Sequence, residues 1–574
     1  MNHVYLSLGS NLGDRIKNIN KALSLLEFYG CDIKKKSSLY LTKPMYYEKQ
    51  NYFINMVSYC ETKLNPDELL KVINSIDKEL KRERKIFKGP RTIDVDILYF
   101  NDLQIDSPLL KIPHPLRLER IFVLLPLKEI APSFKDIETK KEIKEIISKI
   151  NYSDDDIIKI PDNHREMENF LLWLKPKKIE NYNLLSIKKT LLEFDNPQKN
   201  IGKIIHITGS NGKTTTSYMI DFILRKIYKK KTGLYTSPHI LDFKERIKLN
   251  GKDINTLDFL DISREVISKS PNYLSYFEFF TAVAIIYFAR NNVEFSIIEV
   301  GLGGLSDATN VVKGDICVFT KITHEHKNII GPGISDILRH KAGIIKMKSQ
   351  VIVSNENCPK IINYLSQAAR KKKALFLKYK KMDEFNLEYN KENFELALNA
   401  VYCVFPDIFN NYKDKFKNKL KKDIVSNLPF GRYENMNYNN KNILIDGAHN
   451  YTAFKKIFSN KNKFKIALLS FMKDKDIKKC LSFIEKRVDI IILSKSYSYR
   501  SFDPERFYKK NGKYILIEDP IKAFDYAVNK FDNILVSGSL YFISDIKSYL
   551  AKKINIHPHE MLEYYFKDMV GTLE

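Results

Sequence analysis

The sequence has little that would mark a secreted or membrane-embedded protein. Its six cysteines, Cys31, Cys60, Cys317, Cys358, Cys403 and Cys480, lie far apart with no CxxC pair, so free thiols in a reducing cytosol are expected. The longest uncharged apolar run, Phe279 to Ala289, is much shorter than the about 20 residues a helix needs to span a bilayer. The N-terminus, Met1-Asn2-His3-Val4-Tyr5-Leu6-Ser7, lacks the basic segment and apolar stretch of a secretory signal. No internal repeat is visible. A cytoplasmic protein without membrane attachment is the expectation.

What is present reads as ordinary globular sequence. Of 574 residues, 44% are hydrophobic, 12% aromatic and 29% charged, which argues against disorder, collagen and low-complexity arrays. At roughly 150 residues per domain the length predicts about three or four domains. The net charge is +26, a possible footprint of a nucleic-acid binder. The lysines are spread along the whole chain, however, with only short clusters such as Lys34 to Lys36 and Lys229 to Lys231. No nucleic-acid partner is expected, and the charge equally suits anionic small substrates such as ATP and glutamate-bearing molecules.

The first 130 or so residues read as βαββαβ: strands at Val4–Leu8, near Asp32–Leu41, Phe53–Thr62 and Thr92–Phe100, with helices after Asp14 and from Pro66. That order suggests a ferredoxin-like α+β sandwich. The second helix has a legible start, with Asn65 as cap, Pro66 at the first position and Asp67 and Glu68 in the first turn. Polar stretches at Asn151–Asp156 and Pro161–Asn163 read as a linker with a boundary near residue 162. Beyond it, buried-looking strands at Ile204–Thr208, Ser296–Val300 and Ile316–Thr323 predict a mostly parallel α/β sheet. From near Phe430, short apolar runs at Ile443–Ile445, Ile466–Leu469, Ile490–Leu493, Tyr514–Ile517 and Ile534–Val536 predict a smaller doubly wound, Rossmann-like sheet. The expected domains are 1–160, 166–428 and 429–574.

In Thr92-Ile-Asp-Val-Asp-Ile-Leu-Tyr99 the two-residue period of a strand puts Asp94 and Asp96 on one face and Ile93, Val95 and Ile97 on the other. The carboxylate pair reads either as a platform for Mg²⁺ carrying nucleotide phosphates or as acidic residues on a half-exposed edge strand. Arg82, Arg84 and Arg91 lie just upstream and suit phosphate oxygens. Farther on, Ile204–Thr208 runs into Gly209-Ser-Asn-Gly-Lys-Thr-Thr-Thr216, the strand, glycine-rich turn and helix N-terminus whose amides cradle phosphates, with Lys213 as counter-charge. The full GxxxxGK[ST] pattern is not met, because Ile207 stands at its first glycine.

Gly9-Ser-Asn-Leu-Gly13, Phe53-Ile-Asn55, Gly89-Pro-Arg-Thr-Ile-Asp-Val-Asp96, Ile112-Pro-His-Pro115 and Arg120-Ile-Phe122 follow one another in order. Over residues 1 to about 158 this run closely resembles 6-hydroxymethyl-7,8-dihydropterin pyrophosphokinase. The resemblance implies pyrophosphoryl transfer from ATP to the pterin hydroxymethyl, with Asp94 and Asp96 holding two Mg²⁺ ions. It implies a pterin site of Phe53, Phe122, Asn55 and Thr42, and an ATP and catalytic surface that includes Asp77, Arg82, Arg91, His114 and Arg120. Phe87-Lys88 stands where that family commonly carries Arg-Trp.

A second ordered set comprises Asn196-Pro-Gln198, Tyr235-Thr-Ser-Pro-His239, Glu299-Val-Gly-Leu-Gly-Gly304, Asp307-Ala-Thr-Asn310, His326, Lys341-Ala-Gly-Ile344, Phe430-Gly-Arg-Tyr433, Asp446-Gly-Ala-His-Asn450 and Ser537-Gly-Ser-Leu-Tyr541. It resembles the dihydrofolate synthase / folylpolyglutamate synthase family of Mur-type ligases over about residues 166 to 555. The resemblance implies that ATP phosphorylates a pterin carboxylate and that the amine of L-glutamate attacks the acyl phosphate. It assigns Gly209, Asn211, Gly212, Lys213, Thr214, Thr215, Asn310, Arg432, Asp446 and His449 to ATP. Thr214, Ser237, Glu299, His326 and a carbamylated Lys341 would hold one or two Mg²⁺ ions, and Lys213, Glu299, His326 and Lys341 would be catalytic. Asp446 reads equally as the capping residue of a strand-end turn.

Leu305 and Ser306 follow Gly304 where the family first has an arginine, Glu325 replaces an aspartate, and His340 a glutamate. The expectation is a bifunctional folate enzyme acting on 6-hydroxymethyl-7,8-dihydropterin, ATP, dihydropteroate and L-glutamate. A folate-extending or other Mur-like ligase, or an inactive structural half, are the alternatives. The intervening condensation with p-aminobenzoate has no motif in this chain, which makes a separate dihydropteroate synthase the expected pathway partner.

Overall fold

The computed structural model describes residues 1–45, 50–82, 89–153, 156–174, 183–271, 274–323, 330–331, 333–381, 390–408, 428–459 and 464–553. The chain forms two compact units, Met1–Asn200 with Asn255–Arg290, and Ile201–Ile254 with Asn291–Glu574.

In the first unit a six-stranded sheet runs Asp94–Phe100, Asn2–Ser10, Phe53–Thr62, Tyr40–Thr42 and Ile157–Lys159, with Cys31–Lys36 also paired to Phe53–Thr62. Asn2–Ser10 is antiparallel to both neighbours, which sets Gly9 opposite Asn55 on one side and opposite Asp94 on the other. The helix Arg15–Phe28 starts at Asp14, whose side chain accepts the Lys17 amide. The helix Pro66–Glu79 starts at Asn65 in a reciprocal capping box with Glu68, as its sequence suggests. Two expectations change. The strand read near Asp32–Leu41 is broken into Cys31–Lys36 and Tyr40–Thr42. The stretch read as linker contains the strand Ile157–Lys159, which completes the sheet by pairing with Tyr40–Thr42.

Two helices from farther along the chain belong to this unit, Thr256–Lys269 and Tyr276–Arg290. The second is apolar around its whole circumference and buried from Glu278 to Phe288, as a helix enclosed on all sides must be.

The second unit carries two sheets. The larger runs Lys252–Asp253, Ile247–Leu249, Thr232–Tyr235, Phe295–Glu299, Lys203–Thr208, Ile316–Phe319, Gln350–Val353 and Leu375–Phe376, parallel from Thr232–Tyr235 onward. The smaller runs Glu434–Tyr438, Lys441–Asp446, Asn533–Ser537, Ile466–Leu469, Ile490–Leu493 and Tyr514–Leu516, parallel except for its first strand. Alternate residues of the smaller sheet enter separate cores: Ile443, Ile445, Leu468 and Val536 one, Leu444, Leu469 and Leu535 the other. Both faces are therefore covered, which explains the short continuous apolar runs. Among the described residues no helix is long and apolar enough to cross a membrane.

Candidate functional site

The first unit gathers its charged residues at one end of the strand Asp94–Phe100. That strand ends the sheet path, yet its acidic residues do not simply face water. Asp94 is gripped by Arg82 and Arg91, each at 2.6 Å. Arg82 also reaches Asp77 at 2.7 Å. Asp96 lies 3.1 Å from Arg120 and 3.8 Å from His114 Nε2. Burial, reinforced by the neighbouring Asp96 charge, raises the Asp94 carboxyl above the usual range against the pull of Arg82, Arg91 and Arg120. Burial and the Arg120 charge push the His114 imidazole down to about 4.

The residues assigned to the pterin adjoin this cluster. Asn55 Nδ2 donates to Thr42 Oγ1 at 2.6 Å in a buried pair. The Arg91 guanidinium lies 5.6 Å from the Phe53 ring centre, and Arg120 lies 5.6 Å from that of Phe122. Two residues of the Gly9–Gly13 motif, quoted from the sequence without a role of their own, also serve this geometry. A Cβ on Gly9 would sit 2.5 Å from Asn55 Oδ1 and would displace that side chain from where it stands. Asn11 accepts the Arg91 amide at 2.7 Å and donates to Gln50 at 2.9 Å. Their signal is membership of the Gly9–Gly13 turn itself. Arg84 and the Phe87-Lys88 departure lie outside the described residues.

In the second unit the polar residues collect at the carboxyl ends of the parallel strands, the usual ligand position in open α/β sheets. The turn after Lys203–Thr208 needs glycine at Gly209 and Gly212, whose φ values are 152° and 86° and whose Cβ atoms would collide with Thr320 and Asn393. The helix Lys213–Lys226 then begins, with Thr214 and Thr215 buried in its first turn. Lys213 Nζ and Lys341 Nζ both donate to the Gly209 carbonyl, at 3.0 Å and 2.9 Å. Thr214 Oγ1 donates to Glu299 Oε1 at 3.0 Å, and the Ser237 amide to Glu299 Oε2 at 3.2 Å. Burial raises the Glu299 carboxyl above its ordinary range, against the charges of Lys213 and Arg432. Asn310 Nδ2 donates to the Leu305 carbonyl at 2.8 Å, while its buried Oδ1 has no hydrogen-bond partner among the described residues. His326 and Glu325 lie outside the described residues.

Asp446, at the end of Lys441–Asp446, uses both oxygens on backbone amides, those of Tyr433 at 2.7 Å and Ala448 at 2.8 Å. His449 Nδ1 contacts the Gly447 carbonyl at 2.9 Å. Asn450 and Asp307, which belong to the motifs quoted from the sequence without a role of their own, each have one here. Asn450 Nδ2 donates to Asn211 Oδ1 at 3.0 Å, tying this turn to the glycine-rich loop. Asp307, buried, orders the turn before Asn310 by accepting the Leu302 amide at 2.7 Å and the Thr309 amide at 3.0 Å.

Among the described residues, no three or more His, Cys, Asp or Glu side chains gather as a metal cage. Both sites instead offer one or two carboxylates, the protein share of a Mg²⁺ that takes its remaining oxygens from phosphate and water. The carboxylates of Asp94 and Asp96, and of Glu299 beside the hydroxyl of Thr214, are oxygen donors of the kind such a cation takes.

Comparison with known proteins bears on both units. Residues 5–132 match the 7,8-dihydro-6-hydroxymethylpterin-pyrophosphokinase (HPPK) family, and residues 207–402 match the Mur ligase middle domain. The 2-amino-4-hydroxy-6-hydroxymethyldihydropteridine pyrophosphokinase of Bacillus subtilis (strain 168) is 44% identical over 144 residues, 25% of this chain and 86% of that protein. The dihydrofolate synthase/folylpolyglutamate synthase of Buchnera aphidicola subsp. Schizaphis graminum (strain Sg) is 28% identical over 429 residues, 69% of this chain and all (100%) of that protein. In fold, Escherichia coli FolC in complex with DHPP and ADP superposes with a TM-score of 0.58 at 21% identity, covering 69% of this chain and 99% of that one. The chain thus belongs through its N-terminal part to the HPPK family and carries behind it a Mur-ligase-like multidomain fold, which makes it a bifunctional folate enzyme, a pyrophosphokinase joined to an ATP-dependent ligase.

Proposed function

We propose that the first unit transfers a pyrophosphoryl group from ATP to the hydroxymethyl of 6-hydroxymethyl-7,8-dihydropterin, and that the second unit joins L-glutamate to dihydropteroate at the expense of ATP. The observation that carries the first assignment is the Asp94–Asp96 pair held among Arg82, Arg91, Arg120 and His114. Such transfer is mostly positioning and charge neutralisation, and three guanidiniums beside two carboxylates supply both. Asp94 and Asp96 would hold Mg²⁺, which when bound neutralises phosphate oxygens. Arg82, Arg91 and Arg120 then turn from these carboxylates toward phosphates. Asn55 and Thr42 meet the polar edge of the pterin, and Phe53 and Phe122 its faces. His114, neutral at physiological pH, accepts or donates a hydrogen bond without adding charge. The strand order of the sheet supports a ferredoxin-like description of this domain.

In the second unit Lys213 faces the β- and γ-phosphates, and the amides of Gly209 to Thr215 cradle them. Thr214, Ser237 and Glu299, with His326, would hold one or two Mg²⁺ ions, which when bound offset charge on the transferring phosphoryl. Two ammonium groups on one carbonyl repel each other, so addition of CO2 to the Lys341 amine, with loss of its protons to solvent, would leave an anionic carbamate that relieves that contact and adds a metal ligand. Arg432 completes the positive lining opposite Glu299, Asp446 shapes the turn that presents it, and His449 and Asn310 contribute polar contacts to the nucleotide. The substrate carboxylate attacks the γ-phosphorus, the bond to the β,γ-bridging oxygen breaks to release ADP, and the glutamate amine displaces phosphate from the resulting acyl phosphate to form the amide. The smaller sheet supports a Rossmann-like description of the C-terminal domain. Since the two reactions flank a condensation with p-aminobenzoate, a separate dihydropteroate synthase is the pathway partner. The purified chain tests this directly: AMP must form with ATP and the pterin, and ADP with ATP, dihydropteroate and glutamate.

A further inference from the structure

Arg15 opens the helix Arg15–Phe28, is 3% exposed, and takes no part in the chemistry described above. Among the described residues its guanidinium donates to backbone carbonyls only. Nε reaches Ser268 at 2.7 Å, one terminal nitrogen reaches Ile267 and, at 3.1 Å, Ser270, and the other reaches Tyr52 at 2.5 Å. Ile267, Ser268 and Ser270 are the last carbonyls of the helix Thr256–Lys269 and its cap. Those groups have no partner within a helix, and the negative end of the helix dipole favours a cation there. Burial lowers the guanidinium only to about 10, so it stays charged at neutral pH. Ser268 locks the same junction, its hydroxyl donating to Asp14 at 2.6 Å and accepting the Ile16 amide at 2.9 Å.

The fourth carbonyl has a different significance. Tyr52 immediately precedes Phe53, the first residue of the strand that also bears Asn55. Asn11 bonds the same approach at Gln50 and Asn51 and, through its other side-chain atom, the Arg91 amide. Beside Arg15 lies a cavity of about 40 Å³, walled by Tyr52, Phe170, Trp173, Val266 and Phe279. Its walls are largely apolar, and Nε and both terminal nitrogens of Arg15 are already engaged by carbonyls. A rigid cation fixed on one side by a helix end holds on its other side the entry to the pterin strand.

We propose that Arg15 is a positioning residue for the pterin site, acting through the Tyr52 carbonyl, and that the helix Thr256–Lys269 is thereby a structural part of that site. This rests on the pyrophosphokinase reading of the first unit. It goes beyond that reading because the helix falls inside the segment that matches the Mur ligase middle domain. A piece of the ligase half would then set the pterin affinity of the other half.

The test uses the full chain with Arg15→Met, Arg15→Lys and Ser268→Ala, none of which removes a group assigned to pterin, ATP or metal. Two readouts are taken: hydrogen exchange of the peptide covering residues 50–57, and AMP-release kinetics with pterin and ATP varied separately. Arg15→Met should lose protection over 50–57 and raise the pterin KM about tenfold, as expected for losing charge-assisted hydrogen bonds. The ATP KM and kcat should stay within about twofold. Arg15→Lys should recover part of the loss, because an ammonium spans fewer carbonyls than the guanidinium fork. Ser268→Ala should raise the pterin KM about threefold from the ligase-side helix alone. A folded Arg15→Met with unchanged exchange and unchanged pterin KM overturns the proposal. Should Arg15→Met not fold, the same two readouts on Ser268→Ala decide it in either direction. Absence of AMP from the unmodified chain would overturn the pyrophosphokinase reading instead, and the exchange data would still judge the anchor.

Discussion

The backbone amide of Leu305 donates to the carbonyl of His340 at 2.8 Å. These are two of the positions at which the chain departs from the ligase pattern, an apolar residue for an arginine and an imidazole for a glutamate. They meet in space through the backbone, so side chains at the two positions share one neighbourhood. Gly343 seals the contact, since a Cβ there would sit 2.6 Å from the Leu305 Cα.

A double-mutant cycle follows from that adjacency. Leu305→Arg alone adds an unpaired cation beside His340, and His340→Glu alone adds an unpaired anion, so both should lower the thermal midpoint. The double variant should recover most of the loss, with a coupling of about 0.5–3 kcal/mol. Strict additivity in thermal unfolding would mean that the two positions do not communicate through their side chains.

Asp94→Asn and Asp96→Asn should each reduce AMP formation by about a hundredfold or more, because each removes a carboxylate that fits the cation and disturbs the arginines beside it. ADP release with dihydropteroate and glutamate should be unaffected. Equal loss of both activities in either variant would instead point to a general folding defect.

Lys213→Ala and Glu299→Gln should show the converse. ADP release should fall by about a hundredfold or more, while AMP formation with the pterin continues. Persistence of glutamate-dependent ADP release in Lys213→Ala would remove the glycine-rich loop from the reaction.

His206 lies in the central strand Lys203–Thr208 with no exposed surface, its Nε2 2.9 Å from Thr309 Oγ1. Burial, with the nearby Lys346 charge, lowers its pKa to about 3. Below the unfolded value of about 6.5 the unfolded chain takes up a proton that the folded chain refuses. Its contribution to stability is therefore present above about pH 6.5 and is lost as the pH falls toward 3, by at most about 1.4 kcal/mol per pH unit. His206→Gln should flatten the acid side of the thermal-midpoint profile. An unchanged slope would show that the imidazole is protonated in the folded protein.

Much of the arrangement was legible where a short stretch carries its own instructions. Asn65-Pro-Asp-Glu68 contains both halves of its capping box, and the structure forms it. Asp94 and Asp96 share a strand face by period alone. The glycine-rich turn after Thr208 was visible because only glycine reaches such φ values without strain. What stayed hidden depends on partners distant in the chain. Ile157–Lys159 is too short to show a period, and it is a strand because Tyr40–Thr42 offers it an edge. The run Phe279–Ala289 was conspicuous, but nothing in it says that its helix joins the N-terminal unit. That placement depends on contacts such as Phe170 against Phe279 and on Arg15 bonding carbonyls about 250 residues away, which carry no side-chain signature.

The most direct measurement follows AMP and ADP separately from one purified chain with ATP and Mg²⁺. The first arm adds 6-hydroxymethyl-7,8-dihydropterin, and the second adds dihydropteroate with L-glutamate. A bifunctional folate enzyme gives AMP in the first arm, abolished by Asp96→Asn, and glutamate-dependent ADP in the second, abolished by Lys213→Ala. AMP without glutamate-dependent ADP, with dihydropteroate or with tetrahydrofolate in its place, would contradict the ligase assignment and leave a pyrophosphokinase carrying an inactive ligase fold.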